Sequence, residues 1–196
     1  MKKIIYIILF FVLLFTLYTI YVTPSYKTLN ISSALDKARL TLKSNQEIVI
    51  FKSKNPFNFY DIFNRLDNIA EQDVFGILTK PDSVGKFPLI IGVAGSSGWG
   101  EHHYGYLERY LKMGFAVFSL HSFKSRDVES TVGEQLSVTI PMIIHDAFKA
   151  LEKLSNNKNI DVNRTGIIGW SLGGGVALFS AWTPIQEAIS PDYKFA

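Results

Sequence analysis

Ser171 stands in Gly169-Trp-Ser-Leu-Gly173, a G-x-S-x-G spacing. That spacing suits a serine that must attack. A serine on a sharp strand-to-helix turn is strained and holds its Oγ clear of its neighbours. The flanking glycines remove Cβ atoms that would collide across so tight a turn. A helix beginning just after the serine aims free N–H groups and its positive dipole end at the reaction centre. The chemistry is nucleophilic acyl transfer, which also needs donors for a developing oxyanion. The N–H of Leu172, next after the nucleophile, is one expected donor. A second is expected from the small-residue loop Ala94-Gly-Ser-Ser-Gly-Trp-Gly100. Ser96 is its first candidate, and Gly95 and Ser97 are near alternatives.

Competing chemistries are weaker. A P-loop needs Gly-Lys-Ser/Thr, but Glu101 follows Gly100. A dinucleotide fingerprint needs a third glycine where His103 stands. Glu101, His102 and His103 could suggest a metal. Adjacent helical histidines point about 100° apart, however, so a solvated helix start is the better reading. No metal or cofactor is expected. His121 follows an apolar strand at the ligand-binding end of the sheet and, with Trp170, is a candidate for the substrate rim. The other reading of His121-Ser-Phe-Lys-Ser-Arg126 is an ordinary surface loop. His145 and Asp146 fall inside a helix. Asp146 is read as an anchor to a neighbouring loop, and neither residue is given a catalytic role. The chain lacks cysteine, which excludes disulfides, thiolate zinc sites and a cysteine nucleophile. The net charge of +3 is dispersed without a run of five like charges, so no nucleic-acid surface is expected.

The elements that position these residues follow from periodicity. Ser33-Ala-Leu-Asp36 resembles a capping box opening a helix to about Lys43. Strands are expected over Glu47–Ser53 and Val74–Lys80. Between them, Phe59, Ile62, Phe63, Leu66 and Ile69 fall at helical spacing, as a helix covering a sheet edge or as an aromatic lid. Phe87–Val93 and Phe115–Leu120 are unalternating apolar runs, as in strands buried on both faces. Helices are expected over Glu101–Met113, Thr139–Leu154 and Gly174–Ala181. A polar loop is expected over Lys124–Val138, a second loop over Ser155–Asn163, and the elbow strand over Thr165–Gly169. The alternation predicts an α/β fold with a doubly wound, mostly parallel sheet flanked by helices.

At the N-terminus, Met1-Lys-Lys3 precedes the uncharged run Ile4–Val22. As a helix it would be about 28 Å long, near the thickness of a bilayer core. Residues 1–23 are read as a transmembrane anchor or signal peptide, and 24–46 as a linker with a short helix. No Ala-x-Ala site follows, which favours an uncleaved anchor over a cleaved leader. The domain is then expected on the exported side, membrane-anchored through residues 4–22, or secreted if the leader is cleaved.

Residues 47–196 resemble the dienelactone hydrolase-like branch of the α/β-hydrolase superfamily. The resemblance is carried by Phe87-Pro-Leu-Ile-Ile-Gly-Val-Ala-Gly-Ser-Ser-Gly98, Gly114-Phe-Ala-Val-Phe-Ser-Leu-His-Ser-Phe-Lys-Ser-Arg126, Asp146-Ala-Phe-Lys-Ala-Leu151 and Asp161-Val-Asn-Arg-Thr-Gly-Ile-Ile-Gly-Trp-Ser-Leu-Gly-Gly174. It implies a carboxylic-ester or lactone hydrolase working through an acyl-enzyme. Ser171 would be its nucleophile, and the Leu172 and Ser96 amides its oxyanion donors. Serine stands where dienelactone hydrolase itself has cysteine, and Ala94 where many relatives have histidine.

A triad in this fold runs nucleophile, acid, histidine. The 25 residues after Ser171 include Glu187 and Asp192 but no histidine, because all four histidines precede it. Tyr193–Ala196 reads as the start of another strand. The acid and base are therefore expected beyond residue 196. The chain is read as the N-terminal portion of a hydrolase, nearly inactive alone, with the elbow strand as an open edge. The alternative is a membrane-tethered, non-catalytic binding protein or an inactive fragment on a degenerate hydrolase fold.

Overall fold

A computed structural model describes residues 31–196. The apolar helix expected over residues 4–22 lies outside them. Among the described residues, no helix is long and apolar enough to cross a membrane. The chain order is α1 (Ser32–Arg39), β1 (Gln46–Lys54), α2 (Phe59–Asn64), β2 (Glu71–Thr79), β3 (Phe87–Val93), α3 (Glu101–Lys112), β4 (Ala116–Leu120), α4 (Ile140–Ser155), β5 (Ile160–Gly169), α5 (Leu172–Ser180) and α6 (Thr183–Ile189).

The strands form one sheet in the order β1-β2-β4-β3-β5. β3 pairs in parallel with β4 and with β5, whereas β1–β2 and β2–β4 are antiparallel. Four of the described strands thus run the same way and β2 alone runs against them, so the sheet is mixed but mostly parallel in strand direction, as expected. Burial differs between its two sides. β3 and β4 are buried almost throughout, as their unbroken apolar runs require. β1 and β2 sit toward one side of the sheet and alternate in exposure. Lys52 and Asp73, paired across them at 2.8 Å, face solvent.

Helices cover both faces. On one, Leu107 of α3 packs over Ile90 and Val117. On the other, Ile143, Ile144, Phe148 and Leu151 of α4 and Val176 of α5 pack over Leu89, Ile91 and Phe118. The apolar stripe of α4 is buried along its length, and Pro141 sits in its first turn, where a missing N–H costs nothing.

Other expectations shift at their ends. α1 starts with Ile31 in the cap position and no side-chain cap. Ser33 therefore caps nothing, and Asp36 pairs instead with Arg39 at 3.1 Å. Burial of Ile31 and Leu35 against Phe75 sets where this helix begins. β5 begins at Ile160, inside the expected loop. Pro88 faces Asp161 and Leu89 faces Thr165, so Val162–Arg164 bulge out of register. The bulge is held by Arg164 on Asp161 at 2.7 Å and by the Thr165 hydroxyl on the Val162 carbonyl at 3.0 Å.

The aromatic connector forms α2, capped by Asn58 and Asp61 on each other's backbone N–H groups. Its Phe59 meets Phe179 (ring centroids 5.0 Å) and its Phe63 meets Trp182 (5.7 Å). It thus packs on the end of α5 and on α6. β5 is the outermost strand on its side, and the N–H of Ala196 donates to its Thr165 carbonyl at 2.8 Å.

Candidate active site

β5 delivers its last residues beside β3. Trp170 N–H still reaches the Val93 carbonyl at 3.3 Å, and then the chain reverses. Ser171 adopts φ 52°, ψ −115°, a left-handed conformation that costs a non-glycine residue on the order of 1–3 kcal/mol. Two bonds close the turn: Gly173 N–H to Trp170 O at 2.9 Å, and Gly175 N–H to Ser171 O at 3.2 Å. The glycines have steric reasons. A Cβ on Gly169 would overlap the Gly173 backbone, and one on Gly173 would overlap the Val93 and Ala94 carbonyls. The serine itself is exposed.

Leu172 is the first residue of α5, so its N–H belongs to the first turn, which has no intrahelical acceptors. The loop after β3 folds into a tight turn in which Gly98 N–H donates to Gly95 O at 2.9 Å, with Ser96 and Ser97 at its centre. This turn lies against the elbow. A Cβ built on Gly95 would stand 3.6 Å from the Ser171 Cβ and 3.2 Å from the Trp170 carbonyl oxygen. From the outside the turn is pinned by the 127–138 loop: Thr131 N–H (2.8 Å) and the Ser130 hydroxyl (3.1 Å) both donate to Ser96 O. Ser171, Gly95, Ser96, Ser97 and Trp170 line one cleft of about 440 Å³.

His102 and His103 line that same cleft. His103 is buried, with its ring 4.7 Å from that of Trp170. Its Nδ1 accepts the Gly100 N–H at 3.0 Å. Burial, and then the neighbouring His102, hold its pKa below the usual histidine value. The solvated-helix-start reading holds for exposed His102 but not for buried His103. The signal for His103 is adjacency: the helix opens directly from the loop after β3.

His121 sits elsewhere. It lines a separate chamber of about 110 Å³ that shares Ser97 and Gly98 with the Ser171 cleft but does not include the serine. Its ring stacks on Phe75 at 5.1 Å and an interplanar angle of 6°. Burial pushes its pKa down to about 4, with a smaller contribution from Lys124. Trp170 walls the cleft beside His103 and Tyr106. Among the described residues, no group of three His, Asp or Glu side chains could hold a metal.

A second serine–histidine–aspartate group lies in the interior. Ser53 Oγ donates to Asp146 Oδ1 at 2.5 Å and lies 2.9 Å from His145 Nδ1. Arg126 grips both oxygens of Asp146 (2.7 and 3.0 Å) and donates to Asn55 at 2.9 Å. Asp146 is thus an anchor between α4, β1 and the 121–127 loop. Burial holds the pKa of His145 down to about 3, partly opposed by Asp146.

No protein-family model and no curated protein matches the chain. Solved structures do resemble it. One is a dienelactone hydrolase described as putative from Klebsiella pneumoniae, with 16% identity, TM-score 0.49, and 71% of this chain matched to 57% of that one. The esterase Est22 has 16% identity and TM-score 0.48 over 81% of this chain and 49% of its own. A dienelactone hydrolase-like promiscuous phosphotriesterase from metagenomic libraries has 16% identity and TM-score 0.46 over 71% and 55%. The chain spans a little over half the length of the first two such structures, 55% and 57%. The fold is a mixed α/β sheet flanked by helices.

Proposed function

We propose that the chain carries the nucleophile half of a serine hydrolase acting on carboxylic esters or lactones through an acyl-enzyme. Ser171 attacks the acyl carbon. The amides of Leu172 and of the Gly95–Gly98 turn, Ser96 foremost, receive the oxyanion. The observation that carries this reading is the positive φ of Ser171 between two glycines with no room for a side chain, directly against the turn after β3. Strain of that kind persists where the surroundings impose it, and an exposed serine is what it presents. Substrate, membrane attachment through residues 4–22 and an exported location belong to the same proposal.

The base and acid are assigned beyond residue 196, following the order serine, acid, histidine. A serine without its base is a weak nucleophile, and removing triad members typically costs roughly 10⁴–10⁶ in rate. The 196-residue chain is therefore expected to hydrolyse p-nitrophenyl acetate barely above background. Fast turnover lost on Ser171→Ala would overturn the assignment of the base, and fast turnover unaffected by Ser171→Ala would overturn that of the nucleophile.

A further inference from the structure

We propose that His103 donates a hydrogen bond from Nε2–H to the substrate oxygen that gains negative charge at Ser171, acting beside the Leu172 amide and the Gly95–Gly98 turn. The inference rests on the nucleophile reading of Ser171.

A neutral imidazole has one N–H and one lone pair. The Nδ1 lone pair of His103 is engaged by the Gly100 N–H at 3.0 Å. The ring proton is therefore on Nε2. Protonating the ring would set two N–H groups against each other and charge a buried side chain, so the neutral form is held. The lowered pKa agrees in direction. A triad histidine works the other way round, with Nδ1–H directed at a carboxylate and a free Nε2 lone pair facing the serine. His103 therefore offers the cleft a donor and no base.

Its ring is held by the residue that precedes the nucleophile and by Trp99. The ring lies 4.7 Å from that of Trp170, the residue directly before Ser171, and edge-on to Trp99 at 5.7 Å and 85°. It lines the cleft with Ser171 and Ser96. A fixed dipole aimed at developing charge needs no reorganisation when the charge appears.

Phenylboronic acid is the probe. The Ser171 Oγ–B bond forms, boron goes from trigonal to a tetrahedral anion that keeps both hydroxyls, and the serine proton passes to water. Two variants separate the donor from the helix cap. His103→Asn keeps an acceptor where Nδ1 stands and loses the distal donor, while His103→Gln can offer an N–H near the position of Nε2. A tetrahedral boron NMR signal is expected in the unaltered protein and is absent in Ser171→Ala. Affinity for the boronate should fall about 10-fold or more in His103→Asn, as for a lost bond to a charged group, and return to within about 3-fold in His103→Gln. Nitrogen NMR of the unaltered protein should find His103 protonated at Nε2, which decides the tautomer even if a variant fails to fold. An adduct with unchanged affinity in His103→Asn, or a proton on Nδ1, overturns the inference and leaves Ser171 as nucleophile. No adduct in the unaltered protein overturns both.

Discussion

Ser53 and Ser171 each lie in a region holding a histidine, and the two regions are opposites. Ser53 is 1% exposed, in a cluster where a carboxylate, a guanidinium and an imidazole are all engaged. Ser171 is exposed, strained, and bordered by backbone and glycine. The interior group has the residue types of a catalytic triad and none of the access. Its hydrogen bonds close on one another, and its ion pair fastens the 121–127 loop to α4. Residue types alone do not make a reactive serine. On the proposed reading, exposure, backbone strain and nearby backbone amides mark Ser171 out instead.

The contrast predicts opposite responses to mutation. Asp146→Ala leaves Arg126 buried without its partner and should cost about 3–5 kcal/mol in denaturant unfolding. A loss below about 1 kcal/mol would mean that the interior group is not an anchor. At the elbow, Gly169→Ala should cost about 3 kcal/mol or more, because the new Cβ meets the Gly173 backbone. Gly105→Ala in α3, with open space around it, should instead gain about 0.5–1 kcal/mol. Equal effects at the two glycines would contradict the steric account.

Acid should act on the buried histidines. His121 and His145 have folded-state pKa values of about 4 and about 3, below the unfolded value of 6.5. Their neutral burial contributes stability that is present above pH 6.5 and lost as pH falls toward those values, because the unfolded chain binds the protons first. Between pH 6 and 5 each should lower stability by roughly 1.4 kcal/mol per pH unit. His145→Gln should flatten the unfolding-free-energy profile by one such slope, and an unchanged profile would contradict the assignment.

The smallest effects compare the two serines directly. Ser53→Ala removes a donor from a buried carboxylate and should destabilise by about 1–3 kcal/mol. Ser171→Gly relieves a positive φ and should stabilise by about 1 kcal/mol, seen as a higher melting temperature. Destabilisation by both would remove the distinction.

Much of this was legible in the residues. The G-x-S-x-G spacing, the unbroken apolar runs of β3 and β4, and the amphipathic stripe of α4 are local signals with direct structural consequences. The reversal of β2 is not legible, because pairing partners are set by tertiary packing and β1 and β2 carry mixed exposure. The register of α1 depends on Ile31 and Leu35 meeting Phe75, a contact remote in sequence. The bulge at Val162–Arg164 hid the first residues of β5 in what reads as a loop. The proposed role of His103 is not legible in the sequence, because it depends on which ring nitrogen faces the Gly100 amide, and that is a matter of geometry rather than spacing.

The central claim is that Ser171 is the reactive serine. Prolonged incubation of the chain with a fluorophosphonate at mildly alkaline pH, followed by peptide mass mapping, tests it most directly. A single adduct on Ser171, absent in Ser171→Ala, is the predicted result. An unmodified Ser171, or an adduct on another serine that survives that substitution, would contradict it.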